Sequence, residues 1–371
     1  VNWDLSKFRD LQPGQVEEVN EVLDEYAYPT DRDNIRSMLE NDVLFQKAIE
    51  VVLERVPSVS ATKEIIEVDL PFMTKHTNVG FVPPYLGFGN DRSIVSGTNK
   101  TYAQLTMDIA EGIKNRPDKL NDYNVSEEFT RYQKGKGRLI IAPSRIIALV
   151  LNQLEHIEIE NYKLRSSLFA GYNDSIKLKQ VMVDMYQQAD KRGLKMANFD
   201  YHRFDKNIVI GLIKLIGAMS VSKCADKRSK DLAKYRAALM CKTWIIAGTK
   251  DKAALLEIFG RMFSGNIDTN RGGGLINATS MTYLLMLQDD KFVREVASVL
   301  GTYMLVMGDD NLACFNPNKF SLTRLQEDGK TKLHHEIDDP SKIAYGPIFL
   351  QYRLFDYNGL LMFLYAWTRV L

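Results

Sequence analysis

Apolar residues recur at helical spacing through the first part of the chain: Val16, Val19, Val22, Leu23 and Tyr26, then Ile35, Leu39, Val43, Leu44, Ala48, Val51 and Val52. Side chains three and four apart share one face of a helix, so residues 1 to about 60 are predicted as a helical lobe. From 68 to 99 the texture changes to Pro71, Gly80, Pro83, Pro84, Gly87, Gly89 and Gly97 among aromatics, which predicts loops and irregular strands. Helical spacing returns over 148–188 (Leu149, Leu151, Leu154, Ile157), with a break expected at Gly171, Tyr172, Asn173 and Asp174. Further helices are predicted over about 208–222 and 275–300, and residues 316–340 are polar with little pattern.

One stretch has a different rhythm. Tyr303, Met304, Leu305, Val306 and Met307 form a short strand-forming run, Gly308, Asp309, Asp310 and Asn311 carry turn chemistry, and Leu312 to Phe315 is apolar again. This is the pattern of a β-hairpin. Its tip sets two carboxylates side by side, where mutual repulsion favours a divalent cation shared with a third acid. Gly, Asp and Asn also suit any solvent-facing turn, so the tip alone leaves both readings open. The third acid is sought at Asp200, which ends an apolar approach through Leu194, Met196 and Phe199. Between the two lies a polar, glycine-laden loop, Ser264 to Asn277, running into the predicted helix.

These three pieces, in this order, resemble palm motifs A, B and C of viral RNA-dependent RNA polymerases. Motif A is Asp200 and Asp205 at a spacing of Asp-x4-Asp. Motif B is Ser264, Gly265, Thr269 and Asn277 around the triple glycine, and motif C is Gly308, Asp309 and Asp310. The details are most similar to polymerases of small double-stranded RNA viruses, of the picobirnavirus and partitivirus kind. Upstream, Lys134, Lys136 and Arg138 alternate with Gly135 and Gly137 ahead of Arg145. Glycines let such a segment bend while the basic groups face a triphosphate. It resembles motif F, although a solvated lysine turn before a buried strand has the same composition. Residues 337–342 and 349–353 resemble motifs D and E, with Lys342 in the place of a lysine that protonates leaving pyrophosphate.

The resemblance implies an α+β right-hand polymerase whose palm is a small antiparallel sheet backed by helices. Its implied organisation is an N-terminal extension and fingers over 1–190, palm over 191–222, a return to the fingers over 223–262, palm over 263–358 and the start of a thumb over 359–371. Fewer than twenty residues follow Arg353, so the thumb is expected to be largely absent and the chain to be a fragment. The activity implied is template-directed RNA synthesis by two-metal-ion nucleotidyl transfer. Asp200, Asp309 and Asp310 would hold Mg²⁺, with Mn²⁺ a substitute, and the Tyr201 carbonyl would complete the shell. Asp205, Asn277, Ser264 and Thr269 would meet the ribose 2′-hydroxyl, and Arg138, Arg145 and Lys134 the triphosphate. Taken singly, Asp205 and Asn277 also read as caps of the helices that follow them. Two alternatives stand beside this: a reverse transcriptase or other palm-type nucleotidyltransferase, and a non-catalytic RNA-binding scaffold.

Composition narrows the classes. The 371 residues include 48 basic and 47 acidic side chains, a net charge of +1, so any RNA path must be locally basic, and a uniformly basic coat protein is excluded. The basic run Lys223, Lys227, Arg228, Lys230 and Lys234 is read as a solvated helix face or a template contact. Cys224, Cys241 and Cys314 have neither disulfide-framework nor zinc spacing, which fits a reducing compartment. No apolar stretch approaches the roughly 18 residues of a membrane span. The partners expected are RNA template and product, ribonucleoside triphosphates and a viral capsid protein, with no membrane, in the virion interior and host cytoplasm.

Overall fold

The computed structural model describes residues 34–65, 94, 97–133, 136–166, 168–247, 254–260, 262, 268–299, 302–338, 348–350 and 352–365. In chain order the helices are α1 (Ile35–Asn41), α2 (Val43–Leu53), α3 (Tyr102–Ile113), α4 (Arg145–Arg165), α5 (Ser175–Asp190), α6 (Phe204–Asn207), α7 (Ile210–Lys223), α8 (Lys227–Cys241), α9 (Thr269–Val299) and α10 (Leu322–Lys332). The strands are β1 (Val125–Gln133), β2 (Lys136–Pro143), β3 (Lys195–Ala197), β4 (Tyr201–His202), β5 (Lys242–Ala247), β6 (Ala254–Phe259), β7 (Met304–Met307), β8 (Asp310–Phe315), β9 (Glu336–Ile337), β10 (Ile348–Phe349), β11 (Tyr352–Tyr357) and β12 (Leu360–Tyr365). This mixed α+β set divides into two compact units, one from 1–31, 59–157 and 213–269, the other from 32–58, 158–212 and 270–371. Among the described residues no helix is long and apolar enough to cross a membrane.

The first unit holds a four-stranded sheet in the order β2-β1-β5-β6. β1 and β2 form a hairpin, from Ser126 opposite Pro143 to Gln133 opposite Lys136, and β5 joins β1 in parallel at Val125 opposite Trp244. That parallel pairing spans more than a hundred residues and had no local signal. The unit's core gathers Ala110 of α3, Leu154 of α4 and Leu232 of α8, all fully buried. Thr101 opens α3 with a capping box, its hydroxyl accepting from Gln104 N while the Gln104 side chain accepts from Thr101 N. The basic run lies largely on α8. Lys227, Lys230 and Lys234 are exposed, whereas Arg228 turns inward and bonds the side chains of Asn115 and Gln153.

The second unit contains a three-stranded antiparallel sheet, β3-β8-β7, a two-stranded pair, β4-β9, and a third sheet, β10-β11-β12. α1 and α2 are separated at Asp42, whose Oδ1 accepts from Leu44 N and Phe45 N as an N-cap. The break expected near residues 171–174 is present. α4 ends at Arg165, a short 3₁₀ turn covers Ala170–Tyr172, and Asp174 caps α5 through Ile176 N and Lys177 N. α9 starts earlier than its apolar pattern implies, running through Gly272, Gly273 and Gly274, and it is interrupted at Asp289 (φ −154°, ψ 79°). α10 falls in the stretch that read as patternless. Ser321 caps it, and Gly329 in its interior lets Ile337 and the His335 carbonyl come close: a Cβ there would lie 3.0 Å from each.

Candidate active site

The hairpin predicted from residues 303–315 is β7 and β8. Met304 faces Ala313, Leu305 faces Leu312, Val306 faces Asn311 and Met307 faces Asp310. Gly308 and Asp309 make the two-residue turn, with Gly308 at φ +60°, where a side chain is disfavoured. The strand residues from Met304 to Val306 are completely buried, while Asp309 and Asp310 are exposed at the tip.

β3 runs antiparallel along the other side of β8, with Lys195 opposite Phe315, Met196 opposite Cys314 and Ala197 opposite Ala313. Continued by three residues, this register brings Asp200 level with Asp310. The ladder itself stops at Ala197, and a side chain takes over. Asn311 Oδ1 accepts from Phe199 N at 3.1 Å, and Asn311 Nδ2 donates to Phe199 O at 2.7 Å. On the far side the Asp200 carbonyl accepts from Asp338 N, and Tyr201 pairs with Ile337 in the β4-β9 ladder. The three acids are thus exposed at the ends of neighbouring strands whose backbones are fixed on both flanks.

α9 reaches the turn from beneath. Asn277 is fully buried, and its Nδ2 lies 3.1, 2.8 and 3.2 Å from the carbonyls of Gly308, Asp309 and Asp310. Its Oδ1 accepts from Asn311 Nδ2 at 3.1 Å. Two of the three glycines lie against the turn. A Cβ on Gly273 would lie 3.5 Å from Gly308 Cα, and one on Gly274 would lie 3.6 Å from Gly308 N and 3.3 Å from Phe169 Cε1. Gly308 N also donates to Asn270 O at 3.3 Å. Next to the glycines, Arg271 pairs with Glu158 (Nε to Oε2, 3.2 Å), both almost wholly buried.

Beside Asp200 the chain turns through Arg203, a non-glycine residue at φ 51°, into α6, where Asp205 occupies the first turn and is half-buried. Tyr201 and Phe204 pack on His335, with ring centroids 5.3 and 5.4 Å away. His335 is buried, and burial together with neighbouring His334 pushes its pKa down to about 3.

The sequence-derived residues are therefore unevenly placed. Asp200 falls level with Asp310 when the β3–β8 register is continued past Ala197, but the three carboxylates are not gathered into one group. Asn277 lies behind the turn with its amide committed to main-chain carbonyls, so the structure shows it bracing the acids and not exposed toward a ribose. Arg145 opens α4 in the first unit and is only 9% exposed, so it is not displayed to solution. Thr269 begins α9, and Arg138 lies in β2 opposite Arg131. Lys134, Ser264 and Lys342 lie outside the described residues. Asn311 and Asp338 read in the sequence only as a turn residue and part of a motif, and the bonds they make to Phe199 and Asp200 belong to the structure. Asn311 left one signal, a polar residue directly after the acids in an otherwise apolar strand.

Among the described residues no three His, Cys, Asp or Glu side chains are already gathered as a metal cage. The donor set nevertheless fits a hard divalent cation, being all carboxylate oxygen. Mg²⁺ usually takes one or two carboxylates and fills its shell with water and substrate phosphates, so a closed cage is not required.

The structure is similar to "Sicinivirus 3Dpol RNA dependent RNA polymerase" with a TM-score of 0.62 over 87% of this chain and 70% of that one, at 13% sequence identity. No family model matches the sequence, and no match to it is found among curated proteins.

Proposed function

We propose that this chain carries the catalytic region of an RNA-dependent RNA polymerase that joins ribonucleotides by two-metal-ion nucleotidyl transfer. The observation that supports it most is the β3–β8 register, which sets Asp200 level with the Asp309–Asp310 turn in a fold like that of a viral RNA polymerase. In this reading the palm is built from residues 191–222 and 263–358. Asp200, Asp309 and Asp310 would hold Mg²⁺, for which Mn²⁺ would substitute, and that metal would supply Lewis-acid activation of a 3′-hydroxyl and neutralisation of phosphate charge. Asp205 accepts a hydrogen bond from the ribose 2′-hydroxyl, with Ser264 and Thr269 nearby. Arg138 and Lys134 draw in the triphosphate, and Lys342 delivers a proton to the departing pyrophosphate. The motif spacings favour replication and transcription of a small double-stranded RNA virus genome of the picobirnavirus or partitivirus kind. Capsid protein would be the partner, and the virion interior and host cytoplasm the setting.

The test is incorporation of labelled ribonucleotides and deoxyribonucleotides on single-stranded RNA with Mg²⁺ or Mn²⁺, comparing the chain with Asp309→Ala. The expected result is ribonucleotide incorporation that falls by at least about 10²-fold in the variant, the scale of removing one preorganised electrostatic group. Activity surviving the substitution would remove Asp309 from the site. Preference for deoxyribonucleotides would make the chain a reverse transcriptase, and RNA binding without synthesis would make it a scaffold.

A further inference from the structure

The side-chain rung between β8 and the residue before Asp200 has no counterpart in an ordinary ladder. Where the β3–β8 register would pair Phe199 with the backbone of Asn311, the carboxamide of Asn311 stands in between, copying the donor and acceptor of a peptide group. Two strands bridged through a side chain lie farther apart than the roughly 4.5–5.5 Å between directly paired residues. The rung falls one residue before Asp200 and one after Asp310, so it sets the gap between the two acids. Asn311 is 1% exposed, and its second N–H goes to Asn277 Oδ1, whose own amide holds the turn carbonyls. One connected chain of amides therefore links the backbone bearing Asp200 to the turn bearing Asp309 and Asp310.

We propose that Asn311 is a positioning residue that sets the separation of Asp200 from the Asp309–Asp310 turn and thereby the affinity of the site for a divalent cation. This rests on the reading of those acids as cation ligands. A carboxamide has the length and the paired donor and acceptor to act as a spacer. Leucine keeps the volume and loses the bonds, and alanine lets the strands close, bringing like charges together.

The experiment is Mn²⁺ binding by the intact chain without RNA or nucleotide, followed through loss of the free-ion electron paramagnetic resonance signal. Asn311→Leu, Asn311→Ala, Asp309→Ala and Tyr283→Phe are compared, with thermal unfolding of each. Tyr283→Phe is the control for stability, because it removes a 2.5 Å hydrogen bond to Asp42 Oδ2 well away from the acids in sequence. The expected result is Mn²⁺ affinity about tenfold or more weaker in the Asn311 variants, the usual scale for groups that orient ligands, with Tyr283→Phe unchanged. Should Asn311→Leu fail to fold, Asn311→Ala carries the comparison. Wild-type affinity in a folded Asn311 variant would overturn the proposal, as would an equal weakening in Tyr283→Phe. Binding that is the same with and without Asp309 would overturn it by removing the acids' role as ligands, a failure distinct from the first.

Discussion

Asp338 donates its backbone N–H to the carbonyl of Asp200 at 2.8 Å, and this bond fixes the candidate acid from the side opposite Asn311. Strand β9 is only two residues long, yet it aligns Tyr201 with Ile337 and His202 with Glu336. The main chain at Asp200 is thus held by α10 and its trailing strand as well as by the hairpin.

His335, which leads into β9, makes that brace sensitive to acid. An ordinary histidine titrates near 6.5, whereas burial holds this one down to about 3. The unfolded chain therefore takes up a proton that the folded chain refuses. This contribution to stability is full above about pH 6.5 and is lost as pH falls toward about 3, by up to about 1.4 kcal/mol per pH unit. Urea unfolding at pH about 7 and about 5 should show a smaller loss in His335→Phe than in the parent chain. Identical losses would assign the acid sensitivity to other groups.

The Arg271–Glu158 pair is buried, so its halves are worth more together than apart. Arg271→Met leaves a carboxylate in the interior and is expected to cost about 3–5 kcal/mol. Replacing both, as Arg271→Met with Glu158→Leu, should recover most of that loss, because the desolvation penalty disappears with the charges. Chemical denaturation of the single and double variants measures the difference. A double variant as unstable as the single one would mean that packing, and not charge, dominates there.

Two glycines near the turn should respond in opposite directions. At Gly273 an added methyl meets Gly308 Cα at 3.5 Å and Phe204 Cε1 at 3.6 Å, ordinary contacts in a helix. Gly273→Ala is therefore expected to stabilise by about 0.5–1 kcal/mol through backbone entropy. Gly308→Ala, held at φ +60°, should destabilise by about 1–2 kcal/mol. Equilibrium unfolding of both variants checks the signs, and a destabilised Gly273→Ala would show that α9 has no slack against the turn.

What the sequence disclosed was local. The hairpin from Tyr303 to Phe315 and the interruption before Asp174 follow from period and turn chemistry. The features it hid depend on partners far along the chain. Asn311 meets Phe199 across 112 positions, and β5 meets β1 across a comparable span. The α10 helix was obscured by its dense charge and by Gly329, whose reason is the approach of Ile337. Asn277 was legible as important, but its bonds to three carbonyls appear only once the hairpin is folded over α9.

Those three carbonyls divide labour within single residues. What Asn277 grips in Gly308, Asp309 and Asp310 is a group every amino acid carries, while the acidity resides in side chains that point the other way, into solvent. An exchange of carboxylate for carboxamide at position 309 therefore alters the chemistry of the tip without touching the grip that shapes it. Such a chain should keep its architecture, so any difference from the parent would be assigned to the lost charge alone.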